Sequence, residues 1–141
     1  MRTAFAAIAA IGLALAYLMT SPSVSLAQKS DRASIHDEEY ANLLEDFISV
    51  LPNSFDVVGT NTDGSTYRGT AYLSFDPQSG DLSVDWQIAG QRFSGRGPLI
   101  GGEFIVDWGQ SSPVIYTVQR NGDLFGTWAN GEASETLTFA P

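Results

Sequence analysis

Apolar and polar positions follow two different rhythms in this chain. Between residues 31 and 51, Ile35, Tyr40, Leu43, Leu44, Phe47, Ile48 and Leu51 recur mostly three or four apart, with Asp37, Glu38, Glu45 and Asp46 between them. That spacing predicts an amphipathic helix. Ser34 followed by Asp37 and Glu38 has the form of an N-terminal cap with acids in the first turn, and Pro52 ends the pattern. From Phe55 onward the period is two, and strands are predicted over 54–60, 66–76, 81–89, 91–99, 103–109, 113–119, 123–129 and 133–139. No connection between them is long enough for a crossover helix, so neighbours should pair antiparallel. The fold class predicted is mainly β: an eight-stranded antiparallel up-and-down barrel preceded by one amphipathic N-terminal helix. Closure also removes exposed sheet edges.

One unit occurs three times: Gly80-Asp81-Leu82-Ser83-Val84-Asp85-Trp86, Gly102-Glu103-Phe104-Ile105-Val106-Asp107-Trp108 and Gly122-Asp123-Leu124-Phe125-Gly126-Thr127-Trp128. Each reads glycine, acid, large apolar residue, three residues, tryptophan. The interval holds two strands and two turns, so each unit is a hairpin. Matching apolar faces sets the register. Pairing Phe75 with Leu82 puts Ala71 opposite Trp86 and Gly69 opposite Ile88. A two-residue Gly101-Gly102 turn puts Leu99 opposite Phe104, Gly97 opposite Val106 and Gly95 opposite Trp108. A three-residue loop with Gly122 in the left-handed conformation pairs Val118 with Leu124, Tyr116 with Gly126 and Val114 with Trp128.

The inward face then carries Phe55, Tyr67, Phe75, Trp86, Phe93, Phe104, Trp108, Tyr116, Trp128 and Phe139. An eight-stranded barrel is just wide enough to be filled by side chains, so these aromatics predict a packed interior. The outward face carries Arg68, Asp85, Gln87, Arg92, Arg96 and Asp107, which disagrees with the apolar outer band of a membrane barrel.

The start of the chain has a different purpose. Arg2, the apolar run Ala4 to Leu18 and the small-x-small site Ser25-Leu26-Ala27 read as a secretory signal peptide over residues 1–27. The expected organisation is therefore a signal peptide over 1–27, a helical segment over 28–53 and a barrel domain over 54–141. This predicts an exported protein, periplasmic or secreted, with no membrane insertion once the signal is removed. The chain has a net charge of −9, which becomes −10 without Arg2, a poor match for nucleic acid or an anionic membrane.

Candidate chemistry is sparse. There is no cysteine, and the single histidine, His36, precedes the barrel. Thiol catalysis and a zinc site therefore lack ligands, and neither a cofactor nor a metal is expected. Asn61-Thr62-Asp63-Gly64-Ser65 lacks the spacing and the terminal glutamate of a calcium loop and reads as a turn. Glu135 is the exception to the apolar interior, since alternation places it inward beside Leu137 and Phe139. An inward carboxylate needs a partner, and backbone N–H groups, Tyr116 or Arg96 could serve. It reads as a hydrogen-bond anchor or, with Tyr116, as a polar contact at a ligand mouth.

Tyr67-x-Gly69-Thr70, Trp86-x-Ile88-x-Gly90-x-x-Phe93-x-Gly95-x-Gly97 and Tyr116-x-Val118-x-x-x-Gly122-x-Leu124-x-Gly126-x-Trp128-x-x-Gly131-x-x-x-Glu135-x-Leu137 resemble a group of small exported bacterial proteins often labelled fibronectin-binding proteins. A looser likeness, of fold alone, is to avidin-like and lipocalin-like barrels. The label implies an adhesin-like role but transfers no residue set. The expectation is a non-catalytic module that binds an extracellular, matrix or envelope protein through outward Tyr72, Ile105, Ile115 and Phe125. The alternative is a carrier of a small apolar ligand at the open barrel end, with Tyr116 and Glu135 as contacts.

Overall fold

The computed structural model describes residues 26–140, with side chains from His36 onward. The signal peptide expected over residues 1–27 lies outside the described residues except for its last two, which start a helix. That helix, α1 (Leu26–Ser49), precedes eight strands: β1 (Asn53–Thr60), β2 (Thr66–Asp76), β3 (Asp81–Ile88), β4 (Gln91–Ile100), β5 (Glu103–Val106), β6 (Val114–Val118), β7 (Leu124–Trp128) and β8 (Ala133–Phe139). Each strand pairs antiparallel with the next, and β1 pairs with β8 to close the barrel.

The helix starts earlier than predicted. Residues 26–33 contain neither glycine nor proline, so nothing interrupts helical hydrogen bonding upstream of Ser34. Ser34, Asp37 and Glu38 therefore lie inside α1 rather than at its cap. The C-terminal half of α1 covers one barrel end, where Phe47 is buried and Tyr40, Leu43, Leu44 and Ile48 pack half-buried against the core. Phe47 enters that end between Phe55 and Phe104, with ring centroids 5.8 and 6.0 Å away. The Tyr40 hydroxyl donates to the Gly102 carbonyl at 2.6 Å and accepts from the Val118 N–H at 3.2 Å, so it joins the helix to two neighbouring parts of the rim. Tyr40→Phe should cost about 1–2 kcal/mol, because it leaves the Val118 N–H and the Gly102 carbonyl without this partner. A lower urea midpoint with an unchanged slope would show it, and an unchanged midpoint would mean the helix contributes little through this contact.

The register follows the sequence reading. Ala71 faces Trp86, Gly69 faces Ile88, Leu99 faces Phe104, Tyr116 faces Gly126 and Val118 faces Leu124. β5 is shorter than predicted, because the β4–β5 ladder breaks at Gly97 and resumes as one bridge between Arg96 and Asp107 in the same register. Trp86, Trp108 and Trp128 are all buried. Trp86 has small Ala71 on one side but Phe93 on the other, so the pairing of large with small holds on one side only. Of the ten aromatics expected inside, Phe75 and Phe93 are half-buried and Phe139 is 36% exposed. Phe139 ends β8 at the rim, where it packs edge-on against Phe55 at 5.7 Å.

The interior has two layers. Phe47, Phe55, Leu73, Leu82, Phe104, Leu124 and Leu137 make an apolar layer at the helix end. Toward the other end lie Tyr67, Trp86, Tyr116, Trp128 and Glu135, all buried and all carrying polar atoms.

Candidate functional site

Glu135 sits on β8 between Gly59 of β1 and Gly126 of β7. Both glycines are required by close approach. A Cβ on Gly59 would strike the Tyr67 ring, and one on Gly126 would strike the Tyr116 ring. The missing side chains let both phenols fold down onto the carboxylate. Tyr67 donates its hydroxyl to Glu135 Oε1 at 2.8 Å, Tyr116 donates to Oε2 and Trp86 donates through Nε1 to Oε2 at 2.9 Å. Trp86 also reaches the Tyr116 hydroxyl at 3.1 Å, and Trp128 donates through Nε1 to the Tyr67 hydroxyl at 3.0 Å. Five side chains thus form one network around a carboxylate that is 1% exposed.

The electrostatics follow from burial. Loss of solvent pushes the Glu135 carboxyl pKa upward, and the bonds from Tyr116, Tyr67 and Trp86 oppose the shift without cancelling it. Burial, then the neighbouring carboxylate, push the Tyr67 and Tyr116 phenols upward, so both stay protonated and keep donating. This arrangement anchors the interior. An incoming molecule would have to displace one of the three buried donors, Tyr67, Trp86 or Tyr116, to touch Glu135.

Of the partners proposed for Glu135 from sequence, Tyr116 serves and Arg96 does not. Arg96 lies on the outer wall, where its Nε meets Asp81 Oδ2 at 2.9 Å. Tyr67 and Trp86 were legible as inward residues but not as donors to Glu135. The signal for Tyr67 is Gly59, directly opposite the acid on β1, as Gly126 on β7 is the signal for Tyr116; no such signal marks Trp86. The 61–65 segment is a turn, as expected. The Asn61 N–H donates to the Ser65 carbonyl at 2.7 Å, and the Asp63 carboxylate accepts from the Ser65 N–H and hydroxyl. Among the described residues no cluster of three or more metal-ligating side chains occurs.

The four outward candidates fall on two separate walls. Ile105 pairs directly with Ile115 across β5–β6. Phe125 pairs with Thr117, two residues along β6 from Ile115, and is therefore its diagonal neighbour. Phe125 is 40% exposed, and Val58 lies two strands further round through Thr136. The outward positions of β6, β7 and β8 are Ile115, Thr117, Phe125, Thr127, Ser134, Thr136 and Thr138, none of them charged. Tyr72 is elsewhere, on β2 between Ser54 and Asp85. It lines an open groove of about 580 Å³ with Thr70, Asp85, Gln87, Arg92 and Ser94.

No known protein family matches the chain, nor does any characterised protein. Among solved structures it is similar to a redesigned β-barrel, at 21% identity and a TM-score of 0.49, over 67% of this chain and 95% of that one.

Proposed function

We propose that this chain is an exported, non-catalytic binding module. Its partner is an extracellular, matrix or envelope protein, contacted through the outer wall of β6–β8 in an adhesin-like role. The observation that carries the reading is that wall. In a chain of net charge −9, three consecutive strands present no charge outward, and the exposed Phe125 lies diagonally beside Ile115, which pairs in turn with Ile105. Charge is depleted at the centre of protein interfaces, where exposed aromatics act as anchors. The occupied interior argues against the carrier alternative, since a ligand pocket needs ~300 Å³ or more.

Binding to immobilised fibronectin, with other matrix proteins in parallel, tests the reading. Phe125→Asp and Ile115→Glu should each weaken capture at least about tenfold, or ~1.4 kcal/mol, with the melting temperature nearly unchanged. Capture that is indifferent to both changes would refute the assigned wall. Stoichiometric uptake of an apolar dye, with quenching of tryptophan fluorescence, would restore the carrier reading.

A further inference from the structure

The groove around Tyr72 is separate from the uncharged wall and has different chemistry. Its outward side chains form two rows across adjacent strands. Ser54, Tyr72, Asp85 and Ser94 stand side by side on β1, β2, β3 and β4. Thr70, Gln87 and Arg92 stand side by side in the next row. Strand geometry spaces the rows roughly 6.7 Å apart and the members of a row about 4.8 Å apart. Tyr72 is 49% exposed, so its ring offers an open face. Among the described residues no hydrogen bond or ion pair engages the Tyr72 hydroxyl or the Asp85 carboxylate. Arg92 is already positioned. With the Gln87 amide oxygen turned toward it, the guanidinium donates through Nη2 at 3.0 Å and Nε at 3.1 Å. The Gln87 NH₂ then points away from Arg92 as a donor, and the remaining Arg92 N–H groups stay available.

We infer that this groove on β2–β4 is a binding site for a neutral saccharide. A sugar offers adjacent hydroxyls, each both donor and acceptor, and an apolar C–H face. Asp85 can accept from two neighbouring hydroxyls, while Arg92, Gln87, Ser54, Ser94 and Thr70 supply donors and further acceptors. The Tyr72 ring supplies the stacking surface. Fixing Arg92 through Gln87 in advance lowers the entropy lost on binding. A peptide is a poorer fit. The barrel is closed, so there is no strand edge to extend, and Tyr72 is the sole aromatic among the outward residues of these two rows. An anionic glycan is disfavoured as well, because Asp85 balances Arg92 locally and the whole chain is acidic.

Titration of the purified protein with cellohexaose, chitohexaose, maltohexaose and mannohexaose tests this, read by calorimetry and by backbone amide shifts. At least one should bind, with shifts concentrated on β2, β3 and β4. Tyr72→Ala and Asp85→Asn should each weaken that binding about tenfold or more, an effect of ~1.4 kcal/mol, with melting temperature unchanged. Phe125→Asp should leave it intact, which separates this site from the protein-binding wall. Four results would overturn the inference: no shift with any of the sugars, shifts on another wall, equal binding by Tyr72→Ala, or tighter binding of a heparin hexasaccharide than of every neutral sugar.

Discussion

Glu135→Ala should destabilise the protein by about 3–5 kcal/mol, because it leaves two buried phenol donors without acceptors and opens a cavity among rings that cannot collapse. Tyr67 and Tyr116 both lose their acceptor, while Trp86 keeps the Tyr116 hydroxyl at 3.1 Å. Denaturant unfolding with an unchanged slope is the measurement, and a loss below about 1 kcal/mol would mean the network adds little. Glu135→Gln should cost less, since one carbonyl acceptor and the side-chain shape remain. The pair also predicts a pH dependence. The folded carboxyl pKa is raised above its unfolded value, so the folded state binds more protons in the window between the two. The stability linked to Glu135 is fully present below the unfolded value of ~4.3 and is lost as pH rises through the folded one. Raising the pH from there should shift the difference between native protein and Glu135→Gln in favour of the glutamine variant. Contributions common to both proteins cancel in that difference. A gap that stays constant with pH would contradict a raised carboxyl pKa.

Gly97→Val should cost about 3 kcal/mol or more, at the upper end of overpacking effects. A Cβ on Gly97 would collide with the Ile105 carbonyl oxygen and crowd the Val106 Cα. Both are backbone atoms, so no rotamer change relieves the clash. The β4–β5 ladder breaks here, between the Leu99–Phe104 pair and the Arg96–Asp107 bridge. Larger side chains would force the two strands apart where their ladder is already interrupted. Ser83→Val, outward on the adjacent β3, provides the control and should stay within roughly 0.5 kcal/mol. If Gly97→Val unfolds no more easily than that control, the close approach is not real. Measuring Gly97→Ala as well gives a graded series, with the first methyl expected to carry most of the loss.

Much of the barrel was legible because two local rules act together. Period-two alternation assigns each residue a face, and turn chemistry then fixes which residues oppose one another. Ala71 against Trp86 and Tyr116 against Gly126 follow from those rules without any knowledge of closure. The helix boundary was less legible, because Ser34 has the chemistry of a cap but no breaker lies upstream to enforce one. The separation of the surface candidates was also hidden. Alternation marks Tyr72, Ile105, Ile115 and Phe125 as outward, but only the curvature of the closed wall puts Tyr72 around the barrel from the other three.

By itself the sequence determined the strands, their order, most of their register and the inward direction of Glu135. These depend on residues within one hairpin, where neighbouring side chains and turn glycines decide the outcome. Tertiary structure alone decided how deep Glu135 lies and which donors meet it. Tyr67 and Trp86 lie on β2 and β3, 68 and 49 residues before Glu135, and Tyr116 on β6; they converge on it only because the sheet closes with a particular stagger. The same holds for Phe47 and Tyr40, which find Phe55, Phe104, Gly102 and Val118 only once the barrel end exists as a surface. Distance along the chain is the physical reason for the division. Local pairing is written in adjacent residues, whereas convergence across a closed barrel depends on every strand at once.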